Sequence, residues 1–435
     1  MSIPIGRQDD GIPNRKPTIG IVVGGGPAPG INGVIHAVTI QAINSGFEVL
    51  GIVEGFKHLI AGRPNVCPLT VDDVSRIHTR GGSILKTSRA NPATSQETLR
   101  TTVDALVQLG ITHLVSIGGD DTAFSTSRVT QHAHEMGIDI RSVHVPKTID
   151  NDLPLPEGVP TFGHETAREM GTQIVENIME DALTTGRWYI IVAMGRKAGH
   201  LALGIGKSAG ATVTLIPEEW QGEPIRMQHV GDIIAGAIVK RLAAGKNHGV
   251  ALIAEGVMEL MSVEDFAFLE NIERDAHGHP RLAEVNSAAL IKRQVHDTLT
   301  GLGIKMTLVD KEVGYELRCA DPCAFDVDYT RSLGEAAVAF LQEGGTGAMI
   351  TIQQNRPRPI PYDAIMDPET GRTEVRMVNI HAYPYQCAQK FMIRLRGQDF
   401  QDRAWVARMA ACTRLDPEAF VQRFGYLGGV APRPF

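Results

Sequence analysis

The feature that most constrains this chain is a repeated alternation of short apolar runs with longer, helix-like stretches. Residues 18–23 read as a strand, a Gly/Pro loop follows, 32–44 are helix-like and 47–53 are again strand-like. Residues 98–109 are helix-like and lead into a strand at 113–117, and 122–136 lead into a strand at 140–145. When helices make the crossings, successive strands run the same way, so this pattern predicts a parallel sheet. Residues 153–160, Leu-Pro-Leu-Pro-Glu-Gly-Val-Pro, form a Pro-dense break that reads as a hinge between domains. A second series follows, with helix-like 166–183, 230–244 and 287–300 and strands at 188–193, 212–216 and 249–254. Helix-like 329–343 and strand-like 347–353 come next, and about 375–435 carries Pro and aromatic residues without a motif, a C-terminal elaboration. The expected fold class is α/β, with two alternating series separated by the Pro-dense break.

Composition narrows the function. With 435 residues, 43% of them apolar and 21% charged, the chain can bury more than one core. A net charge of −7 without a Lys/Arg block argues against nucleic-acid or anionic-membrane partners. The first ten residues contain no apolar signal core, and no uncharged apolar run is long enough to span a bilayer, so a soluble, cytoplasmic protein is expected. Cys67, Cys319, Cys323, Cys387 and Cys412 make no paired CxxC framework and read as free thiols in a reducing compartment. His277 and His279 flank Gly278 before Pro280 and read as a polar turn, because nothing completes a metal-ligand spacing.

The chemistry sits in two segments that follow strand-like runs: Gly118-Gly119-Asp120-Asp121-Thr122 and Pro146-Lys147-Thr148-Ile149-Asp150-Asn151-Asp152. In open α/β sheets, ligands bind at the carboxyl ends of the strands. Four carboxylates and a lysine at such an edge suit phosphoryl transfer: carboxylate to hold Mg²⁺, carboxylate to take a hydroxyl proton, cation to hold phosphate. Each also has a plainer role. Asp120 and Asp121 can cap the helix from Thr122, and Asp150 can close an Asx-turn. Asp152 would face the same side as Asp150 if the segment were extended, and could then orient it.

Gly24-Gly25-Gly26-Pro27-Ala28-Pro29-Gly30 links a strand to a helix, where glycines and helix N–H groups suit an anion; a tight turn explains it as well. Its GxGxxxG spacing fails the dinucleotide fingerprint, which weakens a reading as an oxidoreductase, even with Glu54 near the required acidic position. Gly204-Ile-Gly206-Lys207-Ser208 mimics a Walker A tail, but Leu201 stands where that motif needs glycine, so it reads as structural.

Taken in order, Gly-Gly-Pro-Ala-Pro-Gly, Gly-Gly-Asp-Asp-Thr, Pro-Lys-Thr-Ile-Asp-Asn-Asp, Met194-Gly195-Arg196-Lys-Ala-Gly199, Ala254-Glu255-Gly256 and Gly314-Tyr315-Glu-Leu-Arg318 resemble the phosphofructokinases. The resemblance runs from about Pro17 to about Gln353. It implies two similar α/β domains with sugar phosphate and phosphoryl donor bound in the cleft between them. It also implies a polar tail at 1–16, a donor domain at 17–160 completed by about 319–345, a fructose 6-phosphate domain at 161–318, and a C-terminal strand and elaboration at 346–435.

ATP-using members typically carry Gly-Gly-Asp-Gly and often Pro-Gly-Thr, so Asp121 with Lys147 resembles the pyrophosphate-dependent branch. A carboxylate at Asp121 takes space and puts negative charge where an α-phosphate would lie, while Lys147 adds a cation for the smaller donor. Asp121 carries that donor assignment, since Lys147 alone is the less specific marker.

The implied reaction is reversible transfer between pyrophosphate and fructose 6-phosphate, a step of glycolysis and gluconeogenesis, with Mg²⁺. The alternatives are the same chemistry with ATP and a catalytically silent regulatory subunit; the latter should have a broken catalytic set, which this chain does not.

By the same resemblance Asp150 is the general base, Asp120 the Mg²⁺ anchor, and Arg196 with Lys147 steadies the transferring phosphoryl group. Gly25, Gly26 and Arg89 would meet the donor. Thr148, Met194, Gly195 and Glu255 would meet the sugar, and Tyr315 and Arg318 would grip sugar and 6-phosphate. Arg187, seven residues before Met194, resembles an arginine lent to a neighbouring subunit's 6-phosphate site, implying a homodimer or larger homo-oligomer. A second such arginine is missing, because Val309 occupies its position; Lys305 or Lys311 could stand in.

Overall fold

The computed structural model describes residues 16–266, 286–366 and 373–431. Most of the polar N-terminal tail and the His277–His279 turn lie outside the described residues. The chain divides into two units. One comprises the described parts of Met1–Lys147 and Asp326–Thr373, the other those of Thr148–Phe325 and Glu374–Phe435.

The strands are β1 (Thr18–Val23), β2 (Glu48–Ile52), β3 (Val66–Pro68), β4 (Ile111–Gly118), β5 (Arg141–Pro146), β6 (Trp188–Ala193), β7 (Val213–Leu215), β8 (Gly249–Ala254), β9 (Leu308–Val313), β10 (Ala348–Gln353) and β11 (Arg356–Pro361). In the first unit seven of them form one sheet in the order β11-β10-β5-β4-β1-β2-β3. The five inner strands are parallel, and β3 and β11 pair antiparallel at the edges. Every residue of Thr-Ile-Gly-Ile-Val-Val in β1 is buried, as an unbroken apolar strand covered on both faces should be. The helix Gln96–Gln108 starts at a capping box between Ser95 and Thr98, and Leu99, Val103 and Leu106 on its buried side pack with Val22, Ile52 and Leu114. Strand β11 reads Arg-Pro-Arg-Pro-Ile-Pro. Prolines at every second residue of an edge strand leave the inner ladder intact and blunt the outer side against pairing with another strand.

The second unit holds a four-stranded, all-parallel sheet in the order β7-β8-β6-β9. The long helix His164–Thr185 stops at Gly186, whose left-handed φ of 66° suits a helix C-terminus. The Walker-like tail lies inside the helix His200–Ala209, where Gly206 is kept small by Thr214 against its face. The motif-free C-terminal stretch adds the helices Tyr383–Phe391, Gly397–Gln401, Arg403–Ala410 and Pro417–Phe424. Polar anchors hold it: Arg394 forks onto Glu219, Lys240 reaches Asp399 at 2.7 Å, and Arg423 with Tyr426 satisfies the fully buried Asp232. Removing Arg423 would leave that buried carboxylate with Tyr426 but without its counter-charge, a loss of about 3–5 kcal/mol.

Two expectations change. The unit boundary falls at the Lys147–Thr148 bond, and 153–160 lies within the second unit with Leu153, Leu155 and Val159 buried. The chain also returns to the first unit for 326–373 and to the second from Glu374 onward, so the C-terminal segment is shared between the two rather than being one appendage.

No disulfide links the five cysteines, and no described helix is long and apolar enough to cross a membrane.

Candidate active site

In the first unit the carboxyl ends of β1, β4 and β5 are neighbours, and the loops after them carry the Gly24–Gly30, Gly118–Thr122 and Pro146–Lys147 motifs. Gly24 N–H donates to Ile117 O at 2.9 Å and Gly25 N–H to Ser88 O at 3.0 Å, which draws the Ser88-Arg89 turn to the same edge. Thr122 is wedged between the first two loops. A Cβ on Gly24 or on Gly118 would fall 2.3 Å from its side chain, so neither position admits a larger residue.

Lys147 is only 4% exposed, and its Nζ donates to Gly26 O at 2.5 Å. A Cβ on Gly25 would lie 3.3 Å from that ammonium, so the lysine fills the floor of the glycine loop. The helix begins at Asp120, with both aspartates in its first turn and Asp120 Oδ1 accepting from Asp121 N–H at 2.8 Å. Helix-terminal stabilisation and ligand binding are therefore compatible here. Asp120 is half-buried, while Asp121 and Arg89 are exposed.

Beneath this edge lies a residue that sequence reading passed over. His144 is fully buried in β5; its Nε2 donates to Gly118 O at 3.0 Å, which fixes Nδ1 as the acceptor for Ser116 Oγ at 2.8 Å. Burial drives its pKa down to about 3, against the pull of the Gly118 bond, and keeps the ring neutral. Gly118 O also accepts from Lys147 N–H at 2.8 Å, so the aspartate loop and the lysine share one anchor.

In the second unit β8, β6 and β9 are adjacent and end in Glu255, Met194-Gly195-Arg196 and Gly314-Tyr315. Ladder bonds run on past the strands: Glu255 N–H reaches Ala193 O and Met194 N–H reaches Val313 O, both at 2.9 Å. Gly195 has φ of 134°, and a Cβ there would lie 3.1 Å from Ala198 O and 4.0 Å from an Asp150 carboxylate oxygen. Its N–H donates to Glu255 Oε2 at 3.3 Å. Burial raises the Glu255 pKa, while that N–H, Arg196 and Arg318 pull the other way. Arg318 stacks on the Tyr315 ring at 5.1 Å, and Arg196 and Tyr315 are exposed.

Asp150 N–H is held by Thr148 Oγ1 at 3.1 Å. The chain bends at 149–150 and Asn151 is left-handed, with φ of 56°, so the alternation expected to put Asp150 and Asp152 on one side does not apply. Arg187 is not brought to this edge. It sits at the amino end of β6, about 20 Å of strand away from Met194, with Nε 3.9 Å from Asp181 Oδ2.

No group of three His, Cys, Asp or Glu side chains forms a metal cage among the described residues. Asp120 and Asp121, in the first turn of the helix, are carboxylates that would suit a Mg²⁺ keeping several of its waters.

Two mainly parallel sheets, one ending in a glycine loop with aspartates and a buried lysine, the other in a carboxylate and arginine set, define a phosphoryl-transfer protein. The chain matches the family described as Phosphofructokinase over residues 18–341 and belongs to it. A relative from Thermotoga maritima named pyrophosphate–fructose 6-phosphate 1-phosphotransferase is 51% identical, over 93% of this chain and 97% of its own length. A relative of the same name from Naegleria fowleri is 49% identical over 95% of this chain and 97% of its own length. Among solved structures, a pyrophosphate-dependent phosphofructokinase from Marinobacter aquaeolei shares the fold, with a TM-score of 0.65 at 18% identity over 86% of this chain and 91% of that one.

Proposed function

We propose that this chain moves a phosphoryl group reversibly between pyrophosphate and the C1 hydroxyl of fructose 6-phosphate, giving fructose 1,6-bisphosphate and phosphate. The observation that carries the donor assignment is Asp121 in the first helical turn, on the same sheet edge as a Lys147 buried against the glycine loop. The names of the 51% and 49% identical relatives support the same donor.

In this reading the first unit binds pyrophosphate and the second binds fructose 6-phosphate. Asp150 takes the C1 hydroxyl proton as that oxygen attacks the nearer phosphorus, and the bond to the bridging oxygen breaks to release phosphate. Lys147 and Arg196 offset the charge that spreads over the transferring group. Gly25, Gly26 and Arg89 hold the donor, and Asp152 supports the base. Glu255, Thr148, Met194 and Gly195 contact sugar, and Tyr315 and Arg318 hold the 6-phosphate. Mg²⁺, when bound, lies at Asp120 and neutralises phosphate oxygens. Arg187 serves a neighbouring subunit's 6-phosphate, which makes the working form at least a homodimer in the cytoplasm.

Steady-state kinetics with both donors test the assignment. Wild type should use pyrophosphate with little or no ATP activity. Asp121→Gly should admit ATP weakly while pyrophosphate turnover falls about tenfold or more, because bulk and like charge at that position exclude the nucleotide. A wild type that prefers ATP, or an Asp121→Gly donor ratio that stays put, overturns the pyrophosphate reading.

A further inference from the structure

The segment that follows the proposed base has an unusual hydrogen-bonding problem. Pro154, Pro156 and Pro160 contribute carbonyls but no N–H groups, so 151–160 is rich in acceptors and poor in donors. Buried carbonyls must find donors somewhere. Here Asn151, Leu155, Pro156 and Val159 share one guanidinium, that of Arg376.

Arg376 lies beyond residues 18–341, in the stretch where the sequence carries no motif. Its Nε donates to Asn151 O at 3.1 Å, and Nη2 donates to the same oxygen at 2.9 Å and to Asn151 Oδ1. Its Nη1 reaches Val159 O at 2.7 Å, Leu155 O at 3.2 Å and Pro156 O at 3.3 Å. The main chain joins in: Arg376 N–H donates to Asp152 O at 2.8 Å, and Arg376 O accepts from His200 Nε2 at 2.9 Å. Two residues on, Val378 N–H and Gly199 N–H share Glu218 Oε1, each at 2.9 Å, so the same strap also holds the loop that carries Arg196.

The residues on the other side of Asp150 are fixed separately. Thr161 Oγ1 donates to Thr148 O at 2.7 Å, and His164 Nδ1 donates to Ile149 O at 2.8 Å. Asn151 Oδ1 also accepts from Thr161 N–H at 3.0 Å, so Asn151 is gripped by both systems. Removing the Arg376 side chain therefore loosens the backbone on the C-terminal side of Asp150 and leaves the N-terminal side tied.

We propose that Arg376 is a positioning residue for the reaction: it touches no substrate, and it sets the Asn151–Val159 backbone so that the Asp150 carboxylate is aimed at the acceptor hydroxyl. This rests on Asp150 being the base of the proposed transfer. A planar fork of five N–H groups can satisfy four carbonyls at once, which a lysine ammonium on a flexible stem cannot.

The test uses the full-length protein with pyrophosphate and fructose 6-phosphate. Arg376→Ala should lower kcat by about 10²-fold, the scale of a displacement of about 1 Å at a reacting group, with both KM values within about threefold. Guanidinium chloride at tens of millimolar, far below denaturing concentrations, should restore about tenfold of that loss by refilling the vacated fork, and should do nothing for Asp150→Asn. Amide exchange over 149–160 should speed up by more than about tenfold while β6 stays protected. Arg376→Lys, which keeps charge and most of the volume, should fold and fall between wild type and Arg376→Ala.

Turnover within about threefold of wild type in both variants overturns the proposal. So does a loss that guanidinium leaves unmoved while exchange rises across the whole second unit, because Arg376 would then be general fold support. If wild type turns over neither substrate, the reaction assignment fails instead, and unchanged exchange at 149–160 in the variants would still refute the clamp.

Discussion

The two sheet edges present their cations in opposite ways. In the first unit Lys147 is buried, bonded to Gly26 O and backed by a neutral His144 that holds the neighbouring loop. In the second unit Arg196 is exposed and Tyr315 is 72% exposed, with Arg318 resting on its ring. A group fixed before the ligand arrives contributes its full field to the transition state. A side chain that the ligand must first order spends part of its interaction energy on that ordering. So Lys147 should express itself in kcat, and Tyr315 and Arg318, proposed to hold the 6-phosphate, in KM.

Asp150 is the case that cuts across this division. It belongs to the second unit, yet its loop is as firmly tied as Lys147, through Thr148 and Asn151. Asp150→Asn should therefore behave as a kcat variant, losing about 10²–10⁴ in turnover with KM nearly unchanged. Near-normal turnover measured at saturating substrates would remove Asp150 from the mechanism.

Lys147→Met comes next in size. Methionine keeps most of the stem and removes the charge, and the expected cost is about 10²–10³ in kcat, comparable to deleting one preorganised donor at a developing charge. The readout is the split between kcat and the pyrophosphate KM. A rise confined to KM would mean that the buried lysine merely binds the ground state, and the contrast between the two edges would collapse.

Why some of this was legible and some not follows from the physics of each residue. The bounds of β1, β6 and β8 coincide with the sequence reading because those strands are unbroken apolar runs buried on both faces. Strand β9 was missed: Asp310, Lys311 and Glu312 sit in an edge strand, where side chains need not be buried. Strand β11 was missed because alternate prolines are tolerated only at an edge, which a sequence does not announce.

In the proposed site, Asp120, Lys147 and Asp150 stand out in the sequence because of their types and their place within motifs. His144 and Arg376 act on backbone carbonyls, and Arg376 does so across 225 positions of sequence to Asn151. Only indirect signs pointed to them: a histidine between valines in a buried strand, and prolines that leave carbonyls without local donors.

The smallest effect is the one that tests the open edge most directly. Tyr315 keeps its ring in water, and the stacked Arg318 gains about 0.5–1 kcal/mol from it, the usual worth of an exposed cation–π contact. If Arg318 holds the 6-phosphate as proposed, Tyr315→Ala removes a partial bias toward the conformation that the ring supports. That bias converts to a rise of about two- to fivefold in the fructose 6-phosphate KM, with kcat and the pyrophosphate KM held. The KM effect should persist across ionic strength more than a bare charge contact would, because part of the stacking is apolar contact. If Tyr315→Ala instead depresses kcat as deeply as Lys147→Met, the acceptor edge is preorganised after all, and its exposure in the free protein is irrelevant to how it works.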